Sequence, residues 1–103
     1  MTDSAFQKRR SQDEKELQGF IQRLERLRMD FDRFFMGQER VAPIPRRDQL
    51  RRDLRASGLN RARNTALRFR FQNLMIRLAS YTTYWERALR EKEEGTRRSR
   101  NRS

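Results

Sequence analysis

The sequence predicts an all-α protein: a long antiparallel helical hairpin, coiled-coil-like, with a short bridging helix. Three observations carry this. Leu17, Phe20, Leu24, Leu27, Phe31 and Phe34 recur in alternating steps of 3 and 4 without a slip, which is one heptad seam. Leu67, Phe71, Leu74, Leu78, Tyr81, Trp85 and Ala88 repeat that rhythm further on. Between the seams lies a stretch punctuated by Pro43, Pro45 and Gly58, with Leu50 and Leu54 one helical turn apart.

The elements follow in chain order. Residues 1–11 are polar and read as a flexible N-terminal tail. Ser11-Gln12-Asp13-Glu14 has the form of a capping box: the hydroxyl accepts a free backbone N–H and Glu14 reaches back to the cap. Asp13, Glu14 and Glu16 add negative charge where the helix dipole is positive. The first helix then runs from about 12 to 36, or ~37 Å at ~1.5 Å per residue. Ile21 and Phe35 widen its seam, and Gly37 suits the residue just past the end.

Gln38 to Pro45 is a connector, because Pro43 and Pro45 cannot continue a helix. Arg46 to Ser57 reads as a short helix that lays Leu50 and Leu54 on something larger, since it is too short to stand alone. Asn60 is the next cap candidate, and Asn64 continues the second seam upstream as a polar position. The second long helix spans about 61 to 94, or ~50 Å, with Gly95 as its stop. Its exposed side carries Glu86–Arg90, Arg87–Glu91 and Arg90–Glu94, i,i+4 pairs worth ~0.3–0.5 kcal/mol each. Residues 96–103 read as a disordered basic tail, which leaves 12–95 as the hairpin domain.

Composition narrows the function. Of 103 residues 34% are apolar and 39% charged, so the core is elongated or shared with a partner. Histidine and cysteine are absent, which excludes Cys–His metal sites, disulfides, thiol nucleophiles and histidine bases. No apolar run approaches the ~20 residues of a membrane span. Met1 to Arg10 holds no signal-peptide core, so a cytoplasmic protein is expected. Asp30 and Asp32 stand about 200° apart on their helix and do not face one site. The four glycines are isolated, so no phosphate loop forms. No enzyme, cofactor, metal or small-molecule substrate is expected.

Charge is uneven. The net charge is +12, and Arg40 to Arg77 holds eleven arginines against Asp48 and Asp53. Only Lys8, Lys15 and Lys92 are lysine; arginine grips phosphate better, although a GC-rich genome gives the same bias. Arg63, Arg70 and Arg77 form one line beside the seam, and Arg61 and Arg68 a second on its other flank. Such lines grip phosphates along a groove. Equally, their stems cover the seam edges and their heads pair with Glu25, Asp30 and Asp32. The excess outlasts such pairing, so an acidic partner is expected. Phe69, Met75, Ile76 and Leu89 lie off the seam and make a second apolar strip. Cover for it comes from the short helix or from another copy of the chain. The reading is therefore a non-enzymatic interaction module, adaptor or scaffold, that self-associates or binds a protein partner. The alternative is a nucleic-acid binder using the face of residues 40–77. Anionic lipid ranks third, because the apolar faces are committed to helix packing.

Leu67-Arg68-Phe69-Arg70-Phe71-Gln72, Tyr81-Thr82-Thr83-Tyr84-Trp85 and Arg90-Glu91-Lys92-Glu93-Glu94-Gly95 resemble the C-terminal signature of a small all-helical domain family. That family comprises uncharacterised proteins of myxobacteria and related deltaproteobacteria. The likeness covers about residues 15–95 and is strongest over 62–95. It implies a helical interaction domain, in some members attached to signalling-type proteins, and implies no catalytic residues.

Overall fold

The computed structural model describes residues 2–101, which are all-α. Helix α1 spans Thr2–Phe35, α2 spans Ile44–Ala56, a 3₁₀ turn spans Gly58–Arg61, and α3 spans Thr65–Asn101. The two long helices pack together and the short one bridges them, as the seams predict. All six first-seam residues are buried, and so are Leu67, Phe71, Leu74, Leu78 and Trp85. Leu50 and Leu54 of α2 join the same core at 2% and 3% exposure.

The direction of the pairing differs from expectation: α1 and α3 run parallel. The Phe20 and Phe71 rings lie 6.3 Å apart, and those of Phe31 and Trp85 stack at 4.0 Å. The Lys92 ammonium donates to the Phe34 carbonyl at 3.1 Å. The partners rise together along both helices. An antiparallel pairing of the two seams sets Leu24, Leu27 and Phe31 against Leu74, Leu78 and Phe71; here Phe31 stacks on Trp85 instead. The cause is the connector. A heptad seam packs in either direction, and a short loop would force an antiparallel turn. Here α2 is itself a return helix of 13 residues, ~20 Å long. It runs antiparallel to α1, with Arg46 paired to Asp30 at 2.6 Å and Arg23 to Asp53 at 2.8 Å. It descends beside α3 as well, where Arg47 faces Glu86 at 3.9 Å.

Parallel pairing comes with a stagger. Residue 71 sits beside residue 20, so about a dozen residues at the start of α1 and of α3's end extend past the overlap. At ~1.5 Å per residue that gives a rod of ~70 Å, in agreement with extents of 74 × 20 × 17 Å.

The helix ends show local chemistry. Gly37 has φ +82, the left-handed state that glycine adopts without steric cost. The Gln38 N–H bonds to the Arg33 carbonyl and the Gly37 N–H to that of Phe34, a Schellman stop as expected. Three other boundaries differ. Helix α1 is already running by Thr2, so Ser11 to Glu14 lie mid-helix and residues 2–11 are its first turns rather than a tail. Helix α3 passes through Gly95 to Asn101. A glycine there costs ~1 kcal/mol against alanine, which does not break a helix flanked by long charged residues. Residues 102 and 103 of the expected tail lie outside the described residues. Finally, Asn60 falls within the 3₁₀ turn, and the cap of α3 is Asn64, whose Oδ1 accepts the Leu67 N–H at 3.1 Å. Its short carbonyl reaches a free N–H better than it fills a seam. Among the described residues, no helix is long and apolar enough to cross a membrane.

Candidate docking site

The seam positions of α3 turn inward, and what remains outside is unusually free of charge. From Phe71 to Trp85 the only charged residue is Arg77. The expected strip divides here. Phe69 is 57% exposed, Ile76 63% and Met75 37%. Leu89 instead is partly buried and packs against the core. Met75 lines a groove together with Arg51, Leu54 and Arg55 of α2, whereas Phe69 and Ile76 lie outside it, so the short helix does not supply their cover. Ser80 and Thr83 continue that open face, and Tyr84 stands at its far end at 59% exposure.

Between α2 and α3 this face deepens into a groove of about 370 Å³. Arg51 and Arg55 stand one turn apart on its α2 wall. Leu54, Met75 and Leu78 form its apolar floor, and Thr82, Thr83 and Glu86 its α3 wall. Thr83 returns its hydroxyl to the Ala79 carbonyl at 3.1 Å. Thr82 is 5% exposed and its hydroxyl has no partner, an arrangement that costs ~1–3 kcal/mol for a buried polar group. Sequence reasoning missed Thr82, because a threonine one residue off the seam carries no mark of burial. It also missed Arg47, 9% exposed, which forks onto Asp48 with two bonds of 3.1 Å and points on toward Glu86.

The five arginines expected to form two lines do not stay together. Arg61 belongs to the 3₁₀ turn and Arg63 to the loop before α3. Only Arg70 and Arg77 keep the helical line. Arg68 donates to the Ala62 carbonyl at 3.1 Å and so braces the loop. Arg70 overlooks a shallow groove with Ser11, Glu14, Lys15 and Gln18 of α1. Arg77 approaches Glu25. The hydrogen bond from Arg28 holds the Glu25 carboxyl below its ordinary range; slight desolvation opposes this, and the charges of Arg28 and Arg77 add to it. Part of the arginine excess is therefore consumed along the α1–α3 edge.

Arg61 and Arg63 instead line a cleft where α1 runs out beyond the start of α3. Phe6, Arg9, Arg10, Asp13 and Glu16 face them across about 960 Å³. The Arg63 guanidinium lies over the Phe6 ring at 5.6 Å. Glu16 accepts the Ser57 hydroxyl at 2.8 Å, which ties the end of α2 to α1. The same Ser57 oxygen accepts the Leu59 N–H at 3.2 Å.

No family model, curated protein or solved structure matches this chain. The family likeness read over about residues 15–95 therefore has no support from these comparisons.

Proposed function

We propose that this chain is a non-enzymatic, basic helical interaction module, an adaptor or scaffold working in the cytoplasm. Its docking face is the outer side of α3. The observation behind this is the pairing of Phe69 and Ile76 on one line, both more than half exposed, on a helix that buries Leu67, Phe71, Leu74, Leu78 and Trp85 of its seam. Exposed apolar strips of that kind mark interaction sites. The groove alongside offers Arg51 and Arg55 to an acidic edge. A protein partner or a second copy with an apolar stripe and a carboxylate edge fits this combination.

The test is affinity capture from native lysate with and without nuclease, using the parent and the Phe69→Glu, Ile76→Glu double variant. Partners that survive nuclease and disappear with the double variant support the reading. Partners retained by the double variant contradict it.

The second reading is nucleic-acid binding, moved from the expected helix lines to the cleft. Phe6 stacked with Arg63, beside Arg9, Arg10 and Arg61, combines an aromatic face with phosphate-binding charge. A duplex titration at three salt concentrations decides. Four phosphate contacts imply a log–log slope of roughly −3.6, from ~0.9 per contact. Binding no tighter than micromolar at low salt removes this reading.

A further inference from the structure

The stagger leaves each end of the rod with one helix that has no long neighbour. At one end this is the first turns of α1, and at the other the last turns of α3. The two single helices carry mirrored charge. Arg9, Arg10, Asp13 and Glu14 on α1 read positive, positive, negative, negative. Glu93, Glu94, Arg97 and Arg98 on α3 occupy the same helical spacing with every sign reversed. Asp13 is half-buried at the cleft edge, and the other seven are exposed.

The two quartets lie at opposite ends of a molecule 74 Å long, so they cannot meet within one chain. They match between two chains only when the helices are parallel. Arg9 then meets Glu93, Arg10 meets Glu94, Asp13 meets Arg97 and Glu14 meets Arg98. An antiparallel approach of these two ends sets like charge against like. Parallel is also the direction that end-to-end addition requires. Arg10 and Asp13 lie seven and four residues before Leu17, so they continue the α1 seam beyond the reach of its own α3. Phe6 is the next position on that line and is 54% exposed. Polar residues at seam positions select register and partner.

We propose that copies of this chain associate head to tail, the α1 end of one lying along the α3 end of the next. The occupant of each free end is thus a second copy. The contact is heterologous, so it leaves a free end at each side and extends into open chains rather than a closed dimer. Adjacent molecules advance by ~50 Å, which corresponds to about 33 residues of helix. Within each helix the same residues also form i,i+4 pairs, such as Arg10 with Glu14 at 3.4 Å. Those pairs account for helix stability, and they do not require the two ends to be opposite in sign.

The test uses the full chain at about 100 µM in 0.1 M salt, followed by sedimentation and small-angle scattering. The parent should show concentration-dependent species, with a two-copy length of ~120 Å from a ~50 Å advance. Arg9→Glu with Arg10→Glu should weaken association about tenfold or more, and so should Glu93→Arg with Glu94→Arg, since each replaces attractions by repulsions. All four substitutions together should restore it, and so should mixing the two double variants. The mixing arm keeps the test decisive if the fourfold variant folds poorly. Ile76→Glu should leave this association unchanged, which separates it from the α3 outer face. A parent that stays monomeric overturns the proposal. So does failure of both restoring arms, which is what antiparallel pairing of two like ends would give. Loss of association in Ile76→Glu alone assigns the contact to the α3 strip and also overturns it.

Discussion

Trp85→Ala should remove close to half the stability of the fold. Trp85 is 1% exposed and lies between two rings, Phe31 at 4.0 Å and Tyr81 at 5.5 Å, both stacked. Truncating a buried tryptophan costs ~3–5 kcal/mol, because the emptied space is only partly refilled. Its aromatic neighbours push this toward the upper half, since each such pair adds ~0.5–1.5 kcal/mol beyond burial. A domain of this size holds ~5–15 kcal/mol in all. Urea titration followed by far-ultraviolet circular dichroism reads the loss directly, with unchanged slope as the sign that the transition stays two-state. Trp85 is also the single tryptophan, so parent emission should be blue-shifted and should redden at the same midpoint. Tyr84→Ala is the internal control. Its side chain is 59% exposed, and surface changes stay within ~0.5 kcal/mol. A Trp85→Ala cost below ~1 kcal/mol, or equal costs at 84 and 85, would refute the packing of α3 on the end of α1.

Thr82→Val removes an unpartnered buried hydroxyl and should be neutral or stabilising by up to ~1 kcal/mol; a clear loss in melting temperature would show that the hydroxyl has a partner. Asn64→Ala should cost ~1 kcal/mol as a lost cap while Asn60→Ala costs little; the reverse order in urea titration would move the start of α3. Asp53 gives a pH signature. Hydrogen bonds from Gln49 and Arg23 hold its carboxyl below the ordinary range. The unfolded chain therefore binds the proton more readily, so the contribution is full above about pH 4 and fades as the pH falls through the lowered folded value. Asp53→Asn should flatten that part of the acid-stability curve, and an unchanged curve would sink the assignment.

The seams were legible because each core residue recurs at a step of 3 or 4, and no polar residue interrupts either run. Gly37 was legible because only a left-handed position explains a glycine after Phe35 and Met36. Direction was not, since Phe31 fills a seam equally well against Phe71 or Trp85. What decides is the length of α2, and its two leucines do not announce a return helix. The charged ends misled for a different reason. Ser11 and Gly95 carry boundary chemistry, but neither overrides a helix already propagating through favourable neighbours. Among the arginines, spacing alone could not tell Arg68, spent on the Ala62 carbonyl, from Arg63, which opens on the cleft. Phe69 and Ile76 were recognisable as off-seam and stay open, whereas Leu89, also off-seam, packs partly buried against the core.

Both the open face of α3 and the unpaired ends follow from α1 and α3 lying parallel and staggered, so that arrangement is the claim to measure. The chain has no cysteine, so two labels can be introduced cleanly at Lys15 and Arg70, which share the shallow α1–α3 groove. Electron–electron distance measurement between spin labels there should give a short separation, within ~20 Å including the label arms. An antiparallel hairpin in the expected register would place these positions about 17 residues apart along the axis, which adds ~25 Å of rise. A short distance supports the account, and a long one contradicts it.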